Sequence, residues 1–532
     1  MDSKALKTPG RKILALETDL KKLCGEEHVL TDAVSKDFYA SDLFEKGLEP
    51  DFIVVPSNIE QVAGLVNLAS KHKRPIYIRG GGMSYSNTYL PARKAAIMVD
   101  TQKLTTIREV NTKDLYVTVE AGCTWKVLDQ ALEPHGLRAV FWGPFSGGKA
   151  TIGGSMSQGT ANNASARIGT SDSTALGYEI VTGAGDILVT GKDAQDGHKP
   201  FTRNYGPDMT SLFSNDAGAF GIKTAVTLKL ESRPKAYGGV SFAFESFDAA
   251  IKAVKAGSQT GLASAVIAMD AETAGVRGGA TGLKEDLKKL WAVVKSAHNP
   301  LLGFARGVSV ALAGRRVFER ATFTAHFLAE GANDKILVAA ERELRRVVKP
   351  FGSELPNIAI SMMRLDNFPD LPMTSMDGRR MLPVHGILPW SQMPGYGEAY
   401  FKMMEGYKAR LSELEITVAD IFSAVGSSSL LCEPVFYWPD SYTNYQREMS
   451  SEFWTQNWKG APDNPEARDL VAEVKTAIID LQYEYGAAHI QIGKAYPYMR
   501  GRSEESLAFL TALKSELDPD NIINPGALGF KL

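Results

Sequence analysis

The spacing of hydrophobic residues between about Leu30 and Pro234 changes repeatedly between two periods. Short β-branched runs such as DFIVV and LYVTVEAG have the composition of buried strands. Between them, stretches such as NIEQVAGLVNLASKHK place hydrophobic residues at helical spacing. This part of the chain is therefore predicted to alternate strands with helices.

From roughly Ala236 to Asn464 the pattern becomes mixed. The runs GGVSFAFES and NIAISMMRL predict strands, and FDAAIKAVKAG and KILVAAERELRRVV predict helices. The polar segment KGAPDNPEARD then precedes two further predicted helices, RDLVAEVKTAIIDLQYEY and SLAFLTALKSEL. We therefore divide the chain into residues 1–235, 236–464 and 465–532.

The composition is that of an ordinary globular protein. The 532 residues are enough for two or three domains, and 44% are hydrophobic and 23% charged. The net charge of −2 gives no electrostatic reason to expect a nucleic-acid partner. The three cysteines are scattered without CxxC spacing, so neither a disulfide framework nor a zinc site is predicted, and no metal is expected.

The N-terminus has no apolar core of signal-peptide length, which favours a cytoplasmic protein. A stretch of small and apolar residues from Pro300 to Phe318 ends in an Arg pair. A core-facing helix with a basic end is favoured there over a helix on a membrane surface.

Three glycine-rich segments carry the candidate chemistry. The first is YIRGGGMSYSN, in which Gly80 to Gly82 follow the strand-like run PIYI. Consecutive backbone N–H groups without Cβ atoms can point at a phosphate oxygen, although a tight turn would also accept three glycines.

The second segment runs from Phe141 to Thr170 and is rich in small polar residues, and the third runs from Asn215 to Leu230. Instead of a ligand-binding role, the second segment could be a long surface loop, and the third could be a bulge at a sheet edge. The common GxxxxGK[ST] and strand-borne GxGxxG signatures are absent.

The order of four motifs resembles the flavoprotein superfamily of vanillyl-alcohol oxidase and para-cresol methylhydroxylase, which includes FAD-dependent D-lactate dehydrogenases. The motifs are RGGGMS, TIGGSMSQG, DAGAFGIKT and LDPDNIINPGALG. The resemblance implies an α+β fold in which a two-part FAD-binding domain lies under an α+β cap domain. Residues 1–235 would form its N-terminal part, residues 236–464 the substrate-binding cap, and residues 465–532 the return to the FAD domain and active site.

The resemblance also implies which residues contact FAD. Carried onto this sequence, they are Arg79, Gly80, Gly81, Gly82, Met83, Ser84, Thr151, Gly153, Gly154, Ser157, Gly159, Gly221, Ile222 and Asn524. Met83 stands where many covalent members have a flavin-linking histidine, and a thioether cannot form that bond. We therefore expect non-covalent FAD, with His385 in the cap as the alternative attachment residue.

The stretch GAAHIQIGKAYPYMR is the densest cluster of side chains suited to catalysis. It contains His489, Lys494, Tyr498 and Arg500, and His489 would suit a base for an alcohol O–H because an unperturbed imidazole titrates near neutral pH. In the phenol-oxidising branch of the superfamily a tyrosine follows the diphosphate loop, and Tyr85 resembles it. This sequence also lacks some features that are typical of each branch.

In the phenol-oxidising branch the missing features are an adjacent Tyr-Arg pair and an aspartate near the flavin. In the hydroxy-acid branch the missing feature is an HxH metal motif. A substrate carboxylate would then depend on Arg364, Arg447 or Arg500.

The expected function is FAD-dependent removal of a hydride from the hydroxyl-bearing carbon of an aromatic alcohol or phenol. A D-2-hydroxy-acid dehydrogenase is the alternative within the class, and an NADPH-fed flavin reductase or a non-catalytic flavin-binding protein is the alternative outside it. Oxygen, a cytochrome or a quinone would reoxidise the flavin. A homo-oligomer is the default expectation for a soluble enzyme.

Overall fold

The computed structural model describes residues 8–532 except 163, 196, 271–321, 358–359, 361–366, 376 and 459. The predicted helix from Pro300 to Phe318, Arg364 and most of the predicted strand NIAISMMRL lie outside the described residues. Of the helices in the described part of the chain, none is long and apolar enough to cross a bilayer.

The N-terminal part begins with a small mixed sheet. Its strands are β1 (Val29–Leu30), β2 (Phe52–Val54), β3 (Ile76–Arg79) and β4 (Ile97–Asp100). The order is β1-β2-β4-β3, in which β4 runs parallel to both β2 and β3. The surrounding helices are α1 (Thr8–Cys24), α2 (Ala33–Tyr39) and α3 (Ile59–Lys71). The predicted helix NIEQVAGLVNLASKHK is confirmed as α3, whose side chains Val62, Leu65, Val66 and Ala69 are buried at helical spacing.

A second, antiparallel sheet follows in sequence. Its strands are β5 (Ile107–Asn111), β6 (Tyr116–Glu120), β7 (Leu137–Ala139), β8 (Ala175–Val181), β9 (Ile187–Val189) and β10 (Ile222–Ser232). The order is β5-β6-β10-β8-β9, and β7 pairs with the far end of β10. Its helices are α4 (Trp125–Leu132), α5 (Ile152–Gln158), α6 (Ser165–Ile168) and α7 (Met209–Leu212).

The middle of the chain forms a large antiparallel sheet, which we call the cap sheet. Its strands are β11 (Ala236–Phe244), β12 (Ala263–Asp270), β13 (Phe323–Gly331), β14 (Ser353–Leu355), β15 (Arg380–Pro383), β16 (Gly386–Pro389), β17 (Thr417–Val425) and β18 (Ser429–Trp438). The order is β14-β11-β13-β12-β17-β18-β15, with β16 also on β18. Its helices are α8 (Phe247–Ser258), α9 (Asp334–Val348), α10 (Met393–Glu413), α11 (Asn444–Glu448) and α12 (Glu452–Asn457). The predicted helices FDAAIKAVKAG and KILVAAERELRRVV are confirmed as α8 and α9.

The C-terminal part contains α13 (Pro465–Glu484) and α14 (Glu504–Leu517), as the sequence predicts. The buried residues of α13 belong to the same hydrophobic core as the cap strands. The chain returns to the first sheet beyond α14, where Ile523 bridges to Ile76 of β3. The mixture of helices and strands confirms the α+β class, whereas the exact domain division stays a prediction.

Candidate active site

One cavity of about 310 Å³ collects all three glycine-rich segments and the cap. Its wall includes residues of the first segment (80–85), the second (144–162) and the third (217–223). The cap contributes Met381, Pro383, His385, Leu431 and Glu433, and the C-terminal part contributes Ile490 and Gln491. Segments separated by hundreds of residues in sequence therefore share one chamber.

The first glycine segment leaves β3 and packs tightly on its neighbours. A Cβ at Gly81 would lie 2.8 Å from the carbonyl carbon of Lys149 and closer still to its oxygen. Gly82 has a positive φ of 68°, and its carbonyl oxygen accepts hydrogen bonds from Tyr445 (2.7 Å) and Tyr89 (3.1 Å). These contacts hold the loop so that its bare backbone faces the cavity.

Arg79 supports this loop from behind rather than from the cavity wall. Its side chain is buried, and its guanidinium lies 3.2 Å from the carboxylate of Asp100 on the adjacent strand β4. The hydroxyl of Tyr39 donates to the same carboxylate at 2.6 Å. The aromatic rings of Phe38, Tyr39 and Tyr445 surround the guanidinium at 5.1 to 5.8 Å.

The second glycine segment turns into α5 at the cavity. The Thr151 hydroxyl accepts a hydrogen bond from the backbone N–H of Gly154, which caps the helix. Thr151, Gly153, Gly154 and Ser157 all line the wall. The same turn brings Gln158 to the cavity, where its buried side-chain oxygen has no hydrogen-bond partner within the described structure. Because buried polar atoms are normally paired, this oxygen marks a place for a ligand donor.

The third segment supplies Gly221 and a buried ion pair to the site. The ammonium of Lys223, which lines the cavity, lies 2.6 Å from the carboxylate of Asp216. Burial lowers the pKa of Lys223, and the Asp216 carboxylate opposes that shift. Sequence reasoning missed both residues. The available signal was a lysine at an otherwise apolar strand start in GAFGIKTAV.

Four of the expected FAD contacts do not line the cavity: Arg79, Gly159, Ile222 and Asn524. Gly159 ends α5 with a φ of 64°, and Ile222 begins the buried strand β10 opposite Val181. Asn524 donates to the carbonyl of Ala217 at 2.7 Å. In this structure these residues hold the glycine segments in position without lining the cavity themselves.

Of the five residues expected in catalysis, only Tyr85 lines the cavity. His489 stacks on Tyr496 with ring centroids 4.6 Å apart, and Tyr498 packs against the core of the second sheet. Arg500 is half-exposed, pairs with Asp480 and stacks on Tyr483. The structure therefore separates residues that the sequence places in one stretch.

Lys494 holds two parts of the chain together. Its ammonium donates to the backbone carbonyls of Asn87 (3.1 Å) and Thr88 (2.7 Å) and to the side-chain oxygen of Asn524 (3.0 Å). Burial lowers its pKa to about 7. Its contacts connect the end of the first glycine segment to the C-terminal return.

At the cap end of the cavity, His385 faces Glu433. His385 lies between β15 and β16, and Glu433 lies on β18, which pairs with both of those strands. The His385 Nε2 is 3.8 Å from the Glu433 carboxylate, and its backbone N–H donates to the Tyr496 hydroxyl at 2.8 Å. Burial lowers the pKa of His385 to about 4, so its imidazole is neutral at neutral pH.

Buried histidines are expected to make the protein less stable in acid. His326 and His385 have pKa values lowered to about 4 by burial, whereas in the unfolded chain the value is 6.5. Because the unfolded state then binds more protons, the free energy of unfolding falls as the pH decreases from 6.5 through 4. For His385 alone the loss approaches about 3 kcal/mol at the acid end.

Thermal unfolding midpoints measured across this pH range test the expectation. The double variant His326→Gln/His385→Gln should depend less steeply on pH than the wild type, since glutamine does not titrate. Parallel curves for the two proteins would contradict the assignment.

Comparison with known proteins relates part of this chain to FAD-binding proteins. A family model described as an FAD binding domain matches residues 50–191. The solved structure of p-cresol methylhydroxylase with bound substrate aligns with a TM-score of 0.72 at 16% identity, over 98% of each chain. The isoeugenol complex of 4-ethylphenol oxidase from Gulosibacter chungangensis aligns with a TM-score of 0.70 at 15% identity, over 99% of this chain and 98% of the other.

The family match and the two aligned folds agree with the expected resemblance to the vanillyl-alcohol oxidase and para-cresol methylhydroxylase flavoprotein superfamily. Among curated relatives, the mitochondrial D-lactate dehydrogenase [cytochrome] of Arabidopsis thaliana is 27% identical over 213 residues, which are 40% of this chain and 36% of that protein. Such matches span 34% to 42% of the length of these relatives. They therefore bear on part of the chain only.

Proposed function

We propose that this protein is an FAD-dependent oxidoreductase that removes a hydride from the hydroxyl-bearing carbon of an uncharged, bulky alcohol, aromatic in the favoured case. The observation that carries the proposal is the single cavity that begins at the three glycine segments and ends at cap residues. A cofactor held at one end would present its reactive ring to a substrate at the other.

The glycine end of the cavity fits FAD. The backbone of residues 80–82 and the hydroxyls of Ser84, Thr151 and Ser157 supply hydrogen-bond donors, and the orphaned oxygen of Gln158 supplies an acceptor. When bound, FAD supplies a two-electron acceptor that takes a hydride from carbon. Met83 on the wall offers no nucleophile to its ring, so we propose non-covalent binding, with attachment through His385, which also lines the cavity, as the alternative.

The cap end favours an uncharged, apolar substrate. Phe145, Met381, Leu431 and Ile490 form its apolar walls. The carboxylate of Glu433 lies on the same wall, and a substrate anion placed beside it would be repelled in a buried site of low dielectric. The two aligned solved structures are p-cresol methylhydroxylase and 4-ethylphenol oxidase, although at this identity the likeness extends to the fold alone.

A D-2-hydroxy-acid dehydrogenase is the second candidate function. It is favoured by the sequence similarity to D-lactate dehydrogenase [cytochrome]. Of the arginines considered for a substrate carboxylate, Arg447 stacks on Tyr442 and Arg500 pairs with Asp480. Arg364 lies outside the described residues.

Anaerobic reduction of the bound flavin distinguishes the candidates. The purified protein should be yellow, and its flavin should bleach on mixing with aryl alcohols and not with D-lactate or D-2-hydroxyglutarate. Bleaching by the hydroxy acids alone would establish the second function. Bleaching by NADPH alone would establish a reductase, and a flavin that no donor bleaches would establish a flavin-binding protein without turnover.

The other expectations stay predictions. They are the electron acceptor (oxygen, a cytochrome or a quinone), the homo-oligomer and the cytoplasmic location.

A further inference from the structure

We infer that His385, backed by Glu433, is the base that takes the proton of the substrate hydroxyl. The inference rests on the proposed function and replaces His489, which the sequence favours for this role. Its basis is geometric: His385 and Glu433 are both on the cavity wall, and His489 is not.

The pair is held rigidly by three parts of the chain. The backbone N–H of His385 donates to the buried hydroxyl of Tyr496, which fixes the short connection between β15 and β16. Both of those strands pair with β18, which carries Glu433. A proton acceptor built on paired strands keeps its position when substrate enters.

The charged and titratable groups that face His385 come from several elements. Glu433 on β18 lies 3.8 Å from the imidazole, and the Tyr496 hydroxyl meets its backbone. His489 is close enough for His385 to contribute, after burial, to lowering the pKa of His489. Tyr85, from the first glycine segment, lines the same cavity and interacts electrostatically with Glu433.

The proton balance of the step is simple. The substrate O–H bond breaks, and its proton passes to the neutral imidazole of His385. The electron pair left on oxygen forms the C=O bond as the carbon releases a hydride to FAD, the oxidant of the proposed function. The carboxylate of Glu433 then faces an imidazolium and stabilises it, because opposite charges 3.8 Å apart attract each other.

The two candidate bases of the C-terminal part, Lys494 and His489, do not line the cavity. Lys494 points its ammonium at three oxygens of the protein and is not on the cavity wall. The ring of His489 is stacked on Tyr496, on the C-terminal segment. Among the histidines that the structure describes, His385 is the one that lines the cavity.

The test compares His385→Gln and Glu433→Gln with a control, His326→Gln. His326 is also a histidine of the cap sheet with a pKa lowered by burial, but it bonds to Ser241 and is not on the cavity wall. FAD affinity is measured for every variant, and flavin reduction is then followed anaerobically at saturating aryl alcohol. We expect His385→Gln to slow reduction about 100-fold or more and Glu433→Gln about 10-fold, with FAD affinity retained.

Two further readouts separate a base from a merely structural residue. The deficit of His385→Gln should shrink for alcohols with a more acidic hydroxyl, and added imidazole should restore part of its rate. In Glu433→Gln the acid limb of the pH–rate profile should move to lower pH, since the imidazolium loses its counter-charge.

The outcomes are distinguishable. A wild-type flavin that no alcohol bleaches overturns the proposed function and this inference with it. A wild-type flavin that is bleached normally, together with His385→Gln within threefold of the wild-type rate, overturns the inference alone. Because Glu433→Gln preserves side-chain size, an unchanged rate and pH profile in that variant overturns the pairing even if His385→Gln does not fold.

Discussion

Replacing Gly81 with alanine is expected to weaken FAD binding about 10- to 100-fold. The added Cβ would lie 2.8 Å from the carbonyl carbon of Lys149 and 3.1 Å from the Cα of Ala150. Both are backbone atoms, so the first and second glycine segments must separate, and overpacking of this kind costs about 1–3 kcal/mol. Both segments line the end of the cavity proposed for FAD, so their separation would weaken the contacts with the cofactor.

The matched control is Gly148→Ala. Gly148 lies in the second glycine segment, next to Lys149, but a Cβ there would meet nothing within 4 Å. Titration of flavin-free protein with FAD, followed by quenching of flavin fluorescence, gives both affinities, and circular dichroism checks the fold. Equal affinities for the two variants would show that the contact between the glycine segments does not form the cofactor site.

The second large effect is expected from Arg79→Met, which breaks a buried ion pair. The side chains of Arg79 and Asp100 are 2% and 4% exposed, so the variant leaves the Asp100 carboxylate buried without its cation. Removing one partner of a buried pair typically costs about 3–5 kcal/mol. We therefore expect a clearly lower thermal unfolding midpoint and a protein that takes up FAD poorly.

Arg410→Met is the comparison for this variant. Arg410 donates two hydrogen bonds to the carboxylate of Glu473, and both of these side chains are about half-exposed. Surface pairs contribute little because water screens both charges in either state, so its midpoint should match the wild type. If Arg79→Met were as stable as this control, the ion pair would not anchor the loop.

The sequence could predict the glycine segments because each carries its signal locally. Runs of glycine and small polar residues after a strand mark places where a backbone must approach something closely. Gly80 to Ser84, Thr151, Gly153, Gly154, Ser157 and Gly221 all line one cavity, and their contact with FAD stays a prediction. The helices α3, α8, α9, α13 and α14 were predictable for the same reason, because their hydrophobic spacing is contained in one stretch.

The polar partners of the site could not be predicted, because they depend on how distant strands pair. Arg79 meets Asp100 only because β3 and β4 are parallel in one particular register. His385 and Glu433 are 48 positions apart and meet through β18. His489 lies in a stretch rich in reactive side chains, but the return of that stretch places its ring on Tyr496 and not on the cavity wall.

The most direct test of the account is a crystal structure of the protein reconstituted with FAD. The expected result is FAD in the described cavity, with its diphosphate at residues 80–82, its ring within reach of Gln158 and His385, and no bond joining it to Met83 or His385. FAD bound elsewhere, or a ring facing away from the cap, would contradict it.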